Sequence, residues 1–223
     1  MLAKSSNRLD NHSVGPPGTL YPWSNYMPET RNALISVFDK TGIDVFARFL
    51  VEMGWTIYSS GGTYKHLTDN GVEAIDVASI VGKPMLGHKV VTLSREVHAG
   101  LLVYPELDLE MEEFEALGLP FFDLACIDLY PLMAEIMDPD ATPASIRDKT
   151  DIGGPTMLRS AAKGRRLVIS QPEQRDSVQH WLQNGEPNPD RFRLQLAMHA
   201  ELTVAAYCLA SAEHLRHLVM QPA

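Results

Sequence analysis

Short apolar runs alternate with helix-like repeats over the first part of the core, residues 33–77. The apolar runs have the length of buried strands. Between the first and second runs, apolar residues recur at i, i+3, i+4 and i+7, which is the spacing of one helix face. In chain order the pattern predicts a strand at 33–37, a helix at 46–53, a strand at 55–58, a helix at 64–70 and a strand at 74–77. Strands that alternate with helices in this way pair in parallel through right-handed crossovers.

The second half is less regular but continues the same type of fold. The pattern predicts strands at 97–104, 124–128 and 166–169, and helices at 108–117, 172–184 and 191–218. We therefore predict an α/β fold of three layers, in which a central, mostly parallel sheet is flanked by helices.

Domain organisation follows from where the polar and Pro-rich residues lie. Residues 1–30 are polar and include Pro16, Pro17 and Pro22, which favours a flexible N-terminal arm. We expect its three aromatic residues to dock on the domain's own surface or on a sister subunit; the alternative is that they form a lid. These residues are Tyr21, Trp23 and Tyr26. No linker divides residues 31–223, which we expect to form one domain.

Composition excludes several classes of protein. The chain has 223 residues, and 28 acidic against 19 basic side chains give a net charge of -9, which disfavours a general nucleic-acid coat. Two cysteines, Cys126 and Cys208, are too few for a disulfide framework, and we expect both to be reduced and buried. Scattered histidines favour no metal site. With no long apolar run and no secretory leader, we expect a cytoplasmic protein without a membrane partner.

Two loops that follow successive strands have the composition of an anion site. Each has hydroxyls, glycine and the start of a helix, where free N–H groups attract phosphate. The candidate residues are Ser36, Asp39, Lys40 and Thr41 in the first loop, and Ser60, Gly61, Gly62 and Thr63 in the second. The alternative is that these residues are ordinary caps and turns.

The segment 151–163 combines a carboxylate, a Gly-Gly pair and a row of cations. The glycines allow a ligand to approach the backbone, and the polar residues after them share one face of a helix. The residues are Asp151, Gly153, Gly154, Thr156, Arg159 and Lys163. A capped helix with solvated cations would have the same composition without any chemistry.

Taken together, these motifs resemble the inosine monophosphate cyclohydrolase domain of bifunctional purine-biosynthesis proteins. The family patterns S-V-x-D-K-T-G, S-T-G-G-T, N-L-Y-P and D-I-G-G-x-T-x-L-R-A-A-A-K align with residues 36–42, 59–63, 128–131 and 151–163. Residues 87–93 and 98–100 also align with a further family stretch, G-R-V-K-T-L-H-P-K-x-H-G-G. The resemblance implies a methylglyoxal-synthase-like fold.

The resemblance also implies which residues act. Tyr130, Asp151 and Lys163 match the family's catalytic positions. The residues implied to bind the substrate and its phosphate are Ser36, Asp39, Lys40, Thr41, Ser60, Gly61, Gly62, Thr63, Lys89, Thr92, Asp128, Gly153, Gly154, Thr156 and Arg159.

One catalytic stretch departs from the family pattern. Val91 stands where the family has lysine, Ser94 replaces its histidine, and Glu96 replaces a further lysine. Asp128 replaces the asparagine of N-L-Y-P, and Lys89 stands at the arginine two positions before Val91. Because valine can neither carry charge nor move a proton, we expect a product other than inosine monophosphate.

The implied reaction is a ring closure in which an amine attacks a formyl carbonyl and water leaves. It needs no cofactor, and the implied partners are a phosphorylated, nucleotide-like substrate and a second copy in a homodimer. The transformylase domain of those proteins is not in the sequence, so a separate enzyme is expected to supply any formyl group. The alternative is a non-catalytic nucleotide- or phosphate-binding regulatory module; methylglyoxal synthesis is a third reading.

Overall fold

The structure is a computed structural model that describes residues 30–87 and 89–220. The strands are β1 (Asn32–Ser36), β2 (Thr56–Ser59), β3 (Ile75–Asp76), β4 (Leu124–Ile127) and β5 (Leu167–Ile169). The helices are α1 (Ile43–Glu52), α2 (Gly61–Asp69), α3 (Ala78–Val81), α4 (Arg95–Leu102), α5 (Asp108–Leu117), α6 (Leu132–Met137), α7 (Pro143–Lys149), α8 (Gly153–Lys163), α9 (Gln174–Gln183) and α10 (Pro189–Met220). The arm predicted for residues 1–30 lies, apart from Thr30, outside the described residues.

The strands form one five-stranded sheet in the order β3-β2-β1-β4-β5, and every neighbouring pair is parallel. The predicted fold class is confirmed. The two central strands are apolar on both faces, as a sheet covered by helices requires. Leu34 of β1 and Leu124 of β4 are fully buried, and Ile43 and Leu50 of α1 pack into the same core.

The strand order creates a crevice next to β1. The chain moves from β1 to β2 and β3 in one direction, then returns to place β4 on the other side of β1. In an open parallel sheet, the loops on either side of such a switch diverge and leave a crevice beyond the carboxyl ends of the strands. Ser36 and Ile127 pair at that edge, so the loops after β1 and β4 flank the crevice.

The strand predicted at 97–104 is wrong, because this segment forms the helix α4. Ser94 accepts a hydrogen bond from the Val97 N–H and so begins the helix as its N-cap. Val97 and Leu101 are buried one turn apart, and this helical spacing cannot be told from a strand within so short an apolar run.

Two further expectations are corrected or extended. Cys126 is buried as predicted, but Cys208 is exposed on α10. The last helix is 32 residues long, longer than predicted, and its distal end leaves Leu209 and Leu215 exposed. Within residues 30–87 and 89–220, no helix is both long and apolar enough to cross a membrane.

Candidate functional site

The two loops predicted to bind an anion are in direct contact. The Thr63 hydroxyl accepts a hydrogen bond from the Val37 N–H at 3.1 Å and donates one to the Val37 carbonyl at 3.0 Å. Thr63 is buried, so its hydroxyl joins the start of α2 to the end of β1. The predicted loops therefore form one surface at the carboxyl edge of the sheet.

The loop after β1 satisfies most of its polar groups internally. The Asp128 carboxylate accepts hydrogen bonds from the backbone N–H groups of Phe38 and Asp39. The Lys40 ammonium donates to the Val37 and Phe38 carbonyls. Burial lowers the pKa of Lys40, and the nearby Asp128 carboxylate opposes this decrease. Burial also raises the pKa of Asp128. Asp128 and Lys40 thus hold this loop in shape.

Arg175 at the start of α9 fastens the same loop from the other side. Its Nη1 donates to the Thr41 carbonyl at 2.8 Å, and its Nη2 lies 3.9 Å from Asp128 Oδ2. Only 8% of the arginine side chain and 13% of the aspartate side chain are exposed, so the pair is shielded from water. Arg175 is not among the residues predicted from the motifs, although a charged residue on the core-facing side of an amphipathic helix was a usable signal.

The N-terminus of α2 presents donors toward the crevice. Ser60 is its N-cap residue, yet the Ser60 side chain makes no capping hydrogen bond. The first N–H groups of a helix have no partner within the helix, so they can bind an anion. A methyl group added at Gly61 or Gly62 would meet no atom within 4 Å, so the space in front of these residues is open.

The start of α8 surrounds the Asp151 carboxylate. It accepts hydrogen bonds from the backbone N–H of Gly154, at 3.0 Å, and from those of Tyr130 and Gly153. A methyl group added at Gly154 would lie 2.5 Å from Asp151 Oδ2. One added at Gly153 would lie 3.0 Å from the Thr92 hydroxyl. A side chain at Gly154 would displace the Asp151 carboxylate, and one at Gly153 would press on Thr92, so the structure brings Asp151, Tyr130 and Thr92 together.

The environment of Asp151 favours proton transfer. Burial raises the pKa of Asp151, and the three N–H donors partly oppose that rise. A carboxyl group whose pKa moves toward neutrality exchanges protons more effectively at physiological pH. Asp151 is therefore the best-placed acid or base among the predicted catalytic residues.

Tyr207 of α10 fixes the chain on the amino side of this carboxylate. Its hydroxyl accepts from the Asp151 N–H at 2.7 Å and donates to the Lys149 carbonyl at 2.9 Å. Burial is the main cause that raises the pKa of Tyr207. Because Tyr207 lies 56 residues from Asp151, no local pattern in the sequence indicates this contact.

Lys163 lies apart from the other two predicted catalytic residues. It ends α8, which begins at Gly153, so the helix separates it from the Asp151 end by about 15 Å along the axis. Its backbone carbonyl accepts from the Tyr104 hydroxyl at 3.3 Å, near α4. Within one chain, the structure therefore joins Tyr130 and Asp151 but not Lys163.

A groove between α8 and α10 runs along the cationic face of α8. Its volume is about 610 Å³, and Thr156, Arg159 and Lys163 line it together with Asp151. Arg159 is paired with Glu201 at 3.1 Å, and the Thr156 hydroxyl donates to the Ile152 carbonyl. The predicted shared face of these three residues is confirmed, but it follows the groove rather than the crevice between β1 and β4.

The altered stretch 89–96 lies beside the site. Thr92 contacts the start of α8, as described above, whereas Lys89 is exposed and 3.8 Å from Asp148. Ser94 caps α4, so the residue that replaces the family's histidine has a structural task here. The His98 Nδ1 atom forms a hydrogen bond with the Ser160 hydroxyl of α8 at 2.8 Å. Burial lowers the pKa of His98, which favours the neutral ring.

Comparison with known proteins agrees with this architecture. Residues 42–156 match the family described as MGS-like domain, over more than half of the chain. The bifunctional purine biosynthesis protein PurH of Rhodopirellula baltica is 40% identical over 189 residues, which are 83% of this chain and 36% of that protein. PurH of Neisseria meningitidis is 46% identical over 143 residues, 64% of this chain and 27% of that protein. The chain thus spans only about a third of the length of these relatives.

One solved structure is similar to this chain over nearly its own full length. The crystal structure of ForH superimposes with a TM-score of 0.71 at 34% identity, covering 83% of this chain and 99% of ForH. The match to ForH therefore extends over nearly all of that protein, unlike the matches to PurH. With its parallel sheet, its switch-point crevice and these similarities, the chain belongs to the family of MGS-like domains.

Proposed function

We propose that this chain is a cyclohydrolase-like cyclodehydratase that acts on a phosphorylated, nucleotide-like substrate. The similarity to PurH, a purine biosynthesis protein, supports this class of role. The observation that carries the proposal is the buried Asp151 carboxylate at the start of α8, which accepts hydrogen bonds from the backbone N–H groups of Gly154 and Tyr130.

The phosphate is expected at the start of α2. Ser60, Gly61 and Gly62 offer a hydroxyl and free N–H groups next to open space, and the helix dipole favours an anion there. The Lys40 ammonium is turned toward the carbonyls of its own loop, so it contributes positive charge to the crevice rather than a direct hydrogen bond. This division assigns the phosphate to the second predicted loop and gives the first a supporting role.

The proposed ring closure forms a C–N bond and releases one water. The amine nitrogen attacks the formyl carbon, the C–N bond forms, and the carbonyl oxygen takes a proton from that nitrogen to become a hydroxyl group. The C–O bond then breaks as a C=N bond forms to the nitrogen that carried the formyl group, and the hydroxyl leaves as water with the proton of that second nitrogen. Asp151 accepts and returns protons, while the Tyr130 hydroxyl donates to the developing oxyanion. Folding the substrate into the attack geometry accounts for a further part of the rate.

Lys163 enters this mechanism through a second copy of the chain. Within one chain α8 separates it from Asp151, but two α8 helices packed antiparallel would bring Lys163 of one copy toward Asp151 of the other. A two-fold axis makes this exchange reciprocal, so both sites would be completed at once. The proposed homodimer is therefore part of the proposed active site.

The product is proposed to differ from inosine monophosphate. Val91 removes a positive charge from the stretch beside Thr92, and Glu96 adds a negative one. A related ring closure on another heterocycle would keep Asp151 and Tyr130 for the reaction and would change the residues of the stretch 89–96 that surround the substrate.

The test is to incubate the purified protein with formylated aminoimidazole carboxamide ribonucleotide and follow the ultraviolet spectrum and mass. We expect slow or no formation of inosine monophosphate from this compound. The natural substrate is expected to lose one water. A screen of formylated amino-heterocycle ribonucleotides by mass spectrometry, with Asp151→Asn as the control, identifies the natural substrate. If no compound in the screen loses water faster than in the control, the proposal is wrong.

A non-catalytic binding module is the second candidate, and one observation favours it. Val91 and the distance of Lys163 from Asp151 leave a single chain without the full catalytic set. If the protein is a module of this kind, the wild type and the Lys163→Ala variant bind nucleotides with equal affinity, and neither protein turns them over.

A further inference from the structure

Two exposed aromatic rings flank the crevice between β1 and β4. Phe38, after β1, is 41% exposed, and Tyr130, after β4, is 45% exposed. Their ring centroids are 5.5 Å apart with planes at 72°. Exposed aromatic rings are surfaces on which planar heterocycles stack.

Backbone hydrogen bonds fix the two residues that carry these rings. The Phe38 N–H donates to the Asp128 carboxylate, and the Tyr130 N–H donates to the Asp151 carboxylate. The backbone that carries each ring is therefore attached to a carboxylate of the proposed site, Asp128 for Phe38 and Asp151 for Tyr130.

Lys149, the last residue of α7, places its ammonium on this aromatic pair. Its Nζ lies 5.0 Å from the Phe38 centroid and 5.9 Å from the Tyr130 centroid, within the range of cation–π attraction. The Lys149 carbonyl accepts from the same Tyr207 hydroxyl that holds the Asp151 N–H. One contact thus positions both Lys149 and Asp151.

The other lysines near the crevice are engaged elsewhere. The Lys40 ammonium donates to carbonyls of its own loop. Lys89 is exposed and faces Asp148, and position 91 has a valine. Lys149 is therefore the lysine whose ammonium meets the aromatic pair.

We propose that Lys149 is a substrate-binding residue whose ammonium donates to a carbonyl oxygen of a planar heterocycle that stacks on one ring of the Phe38–Tyr130 pair and meets the other edge to face, supplying the positive charge that Val91 does not. The substrate class is a phosphorylated nucleoside-like compound with a flat, oxygen-bearing ring. This inference rests on the proposed function, because it names the group that orients the same substrate.

The test measures binding separately from turnover. Inosine monophosphate is titrated calorimetrically into the wild type, Lys149→Met, Lys149→Arg and the matched control Arg147→Met, which removes an exposed cation from the same helix. Because a charge-assisted hydrogen bond is lost, we expect Lys149→Met to raise the Kd about tenfold. Lys149→Arg should stay within about threefold of the wild type, and Arg147→Met should match it. Melting temperatures verify that each variant is folded.

Each outcome decides the inference. A tenfold loss that arginine restores supports it, even if the wild type closes no ring, in which case only the proposed function fails. Equal affinity of Lys149→Met and wild type overturns the inference but leaves ring closure untouched. Wild-type protein that binds no inosine monophosphate at millimolar concentration also overturns it, while the turnover screen decides the function independently.

Discussion

At the scale of single residues, Asp151 shows how burial and backbone donors prepare a carboxylate for chemistry. Burial raises its pKa, and the N–H groups of Gly154, Tyr130 and Gly153 keep its oxygens in a fixed orientation. The sequence motif identified Asp151 and both glycines, because a Gly-Gly pair after a carboxylate is typical of a backbone that another group approaches closely. It did not identify Lys149 or Tyr207, which reach the site only through the fold.

We expect Asp151→Asn to lower kcat by about 10²–10⁴-fold with a smaller change in KM, because the amide cannot accept a proton. In the wild type the rate should fall as pH drops through the raised pKa of Asp151, since a protonated carboxyl is no longer a base. Initial rates across pH, on whichever substrate the screen identifies, measure both effects. Asp108→Asn, an exposed carboxylate on α5, is the control; a rate for Asp151→Asn within threefold of the wild type contradicts the assignment.

At the scale of elements, the site depends on how tightly helices and loops approach. A methyl group added at Gly164, just after α8, would lie 1.9 Å from the Leu101 carbonyl oxygen of α4. The backbones therefore meet without space for a side chain, which fixes α8 against α4. The motif at 151–163 was enough to predict α8, whereas α4 was missed because the spacing of Val97 and Leu101 lies within a short apolar run.

Replacing Gly164 by alanine should reduce the free energy of unfolding by about 1–3 kcal/mol or more, because the backbone must move to admit the methyl group. Gly62→Ala in α2 is the matched control, since its methyl group meets nothing within 4 Å and alanine favours helix by up to about 1 kcal/mol. Urea unfolding of both variants measures the difference. Equal stability of the two would show that α8 and α4 are not closely packed.

The loop after β1 offers a second test at this scale. Arg175→Met should destabilise the fold by about 1–3 kcal/mol, because the Thr41 carbonyl loses its donor and the shielded Asp128 carboxylate loses one of its two nearby cations. The double variant Arg175→Met/Asp128→Asn should lose less than the sum of the single changes. Urea unfolding of all four proteins gives the coupling; strictly additive losses would mean that the two side chains do not interact.

At the scale of the whole molecule, the question is whether one chain contains a complete site. Asp151 and the Tyr130 backbone meet at the start of α8, while Lys163 lies at the opposite end of that helix. The proposed homodimer, in which each copy supplies Lys163 to the other, would remove this separation, and it predicts behaviour that no single-chain site can show.

Mixing inactive Asp151→Asn with inactive Lys163→Ala, under conditions that exchange subunits, should restore activity. Each mixed dimer then contains one site with both residues intact, so random exchange returns about a quarter of the wild-type rate, by the statistics of closed two-fold pairing. Mixing each variant with itself is the control, and sedimentation verifies the dimer. If mixing restores nothing although subunits exchange, Lys163 does not act on the partner's site.

The sequence by itself determined the alternation of strands and helices, the parallel sheet and the motifs at the strand ends, because periodicity and Gly-rich turns are local properties. Only the tertiary structure decided which of those motifs meet. It joined Thr63 to Val37 and Tyr130 to Asp151, and it separated Lys163 from both by the length of a helix. It also brought in Arg175, Lys149 and Tyr207, since contacts between residues far apart in the chain depend on strand order and helix packing, which no local pattern records.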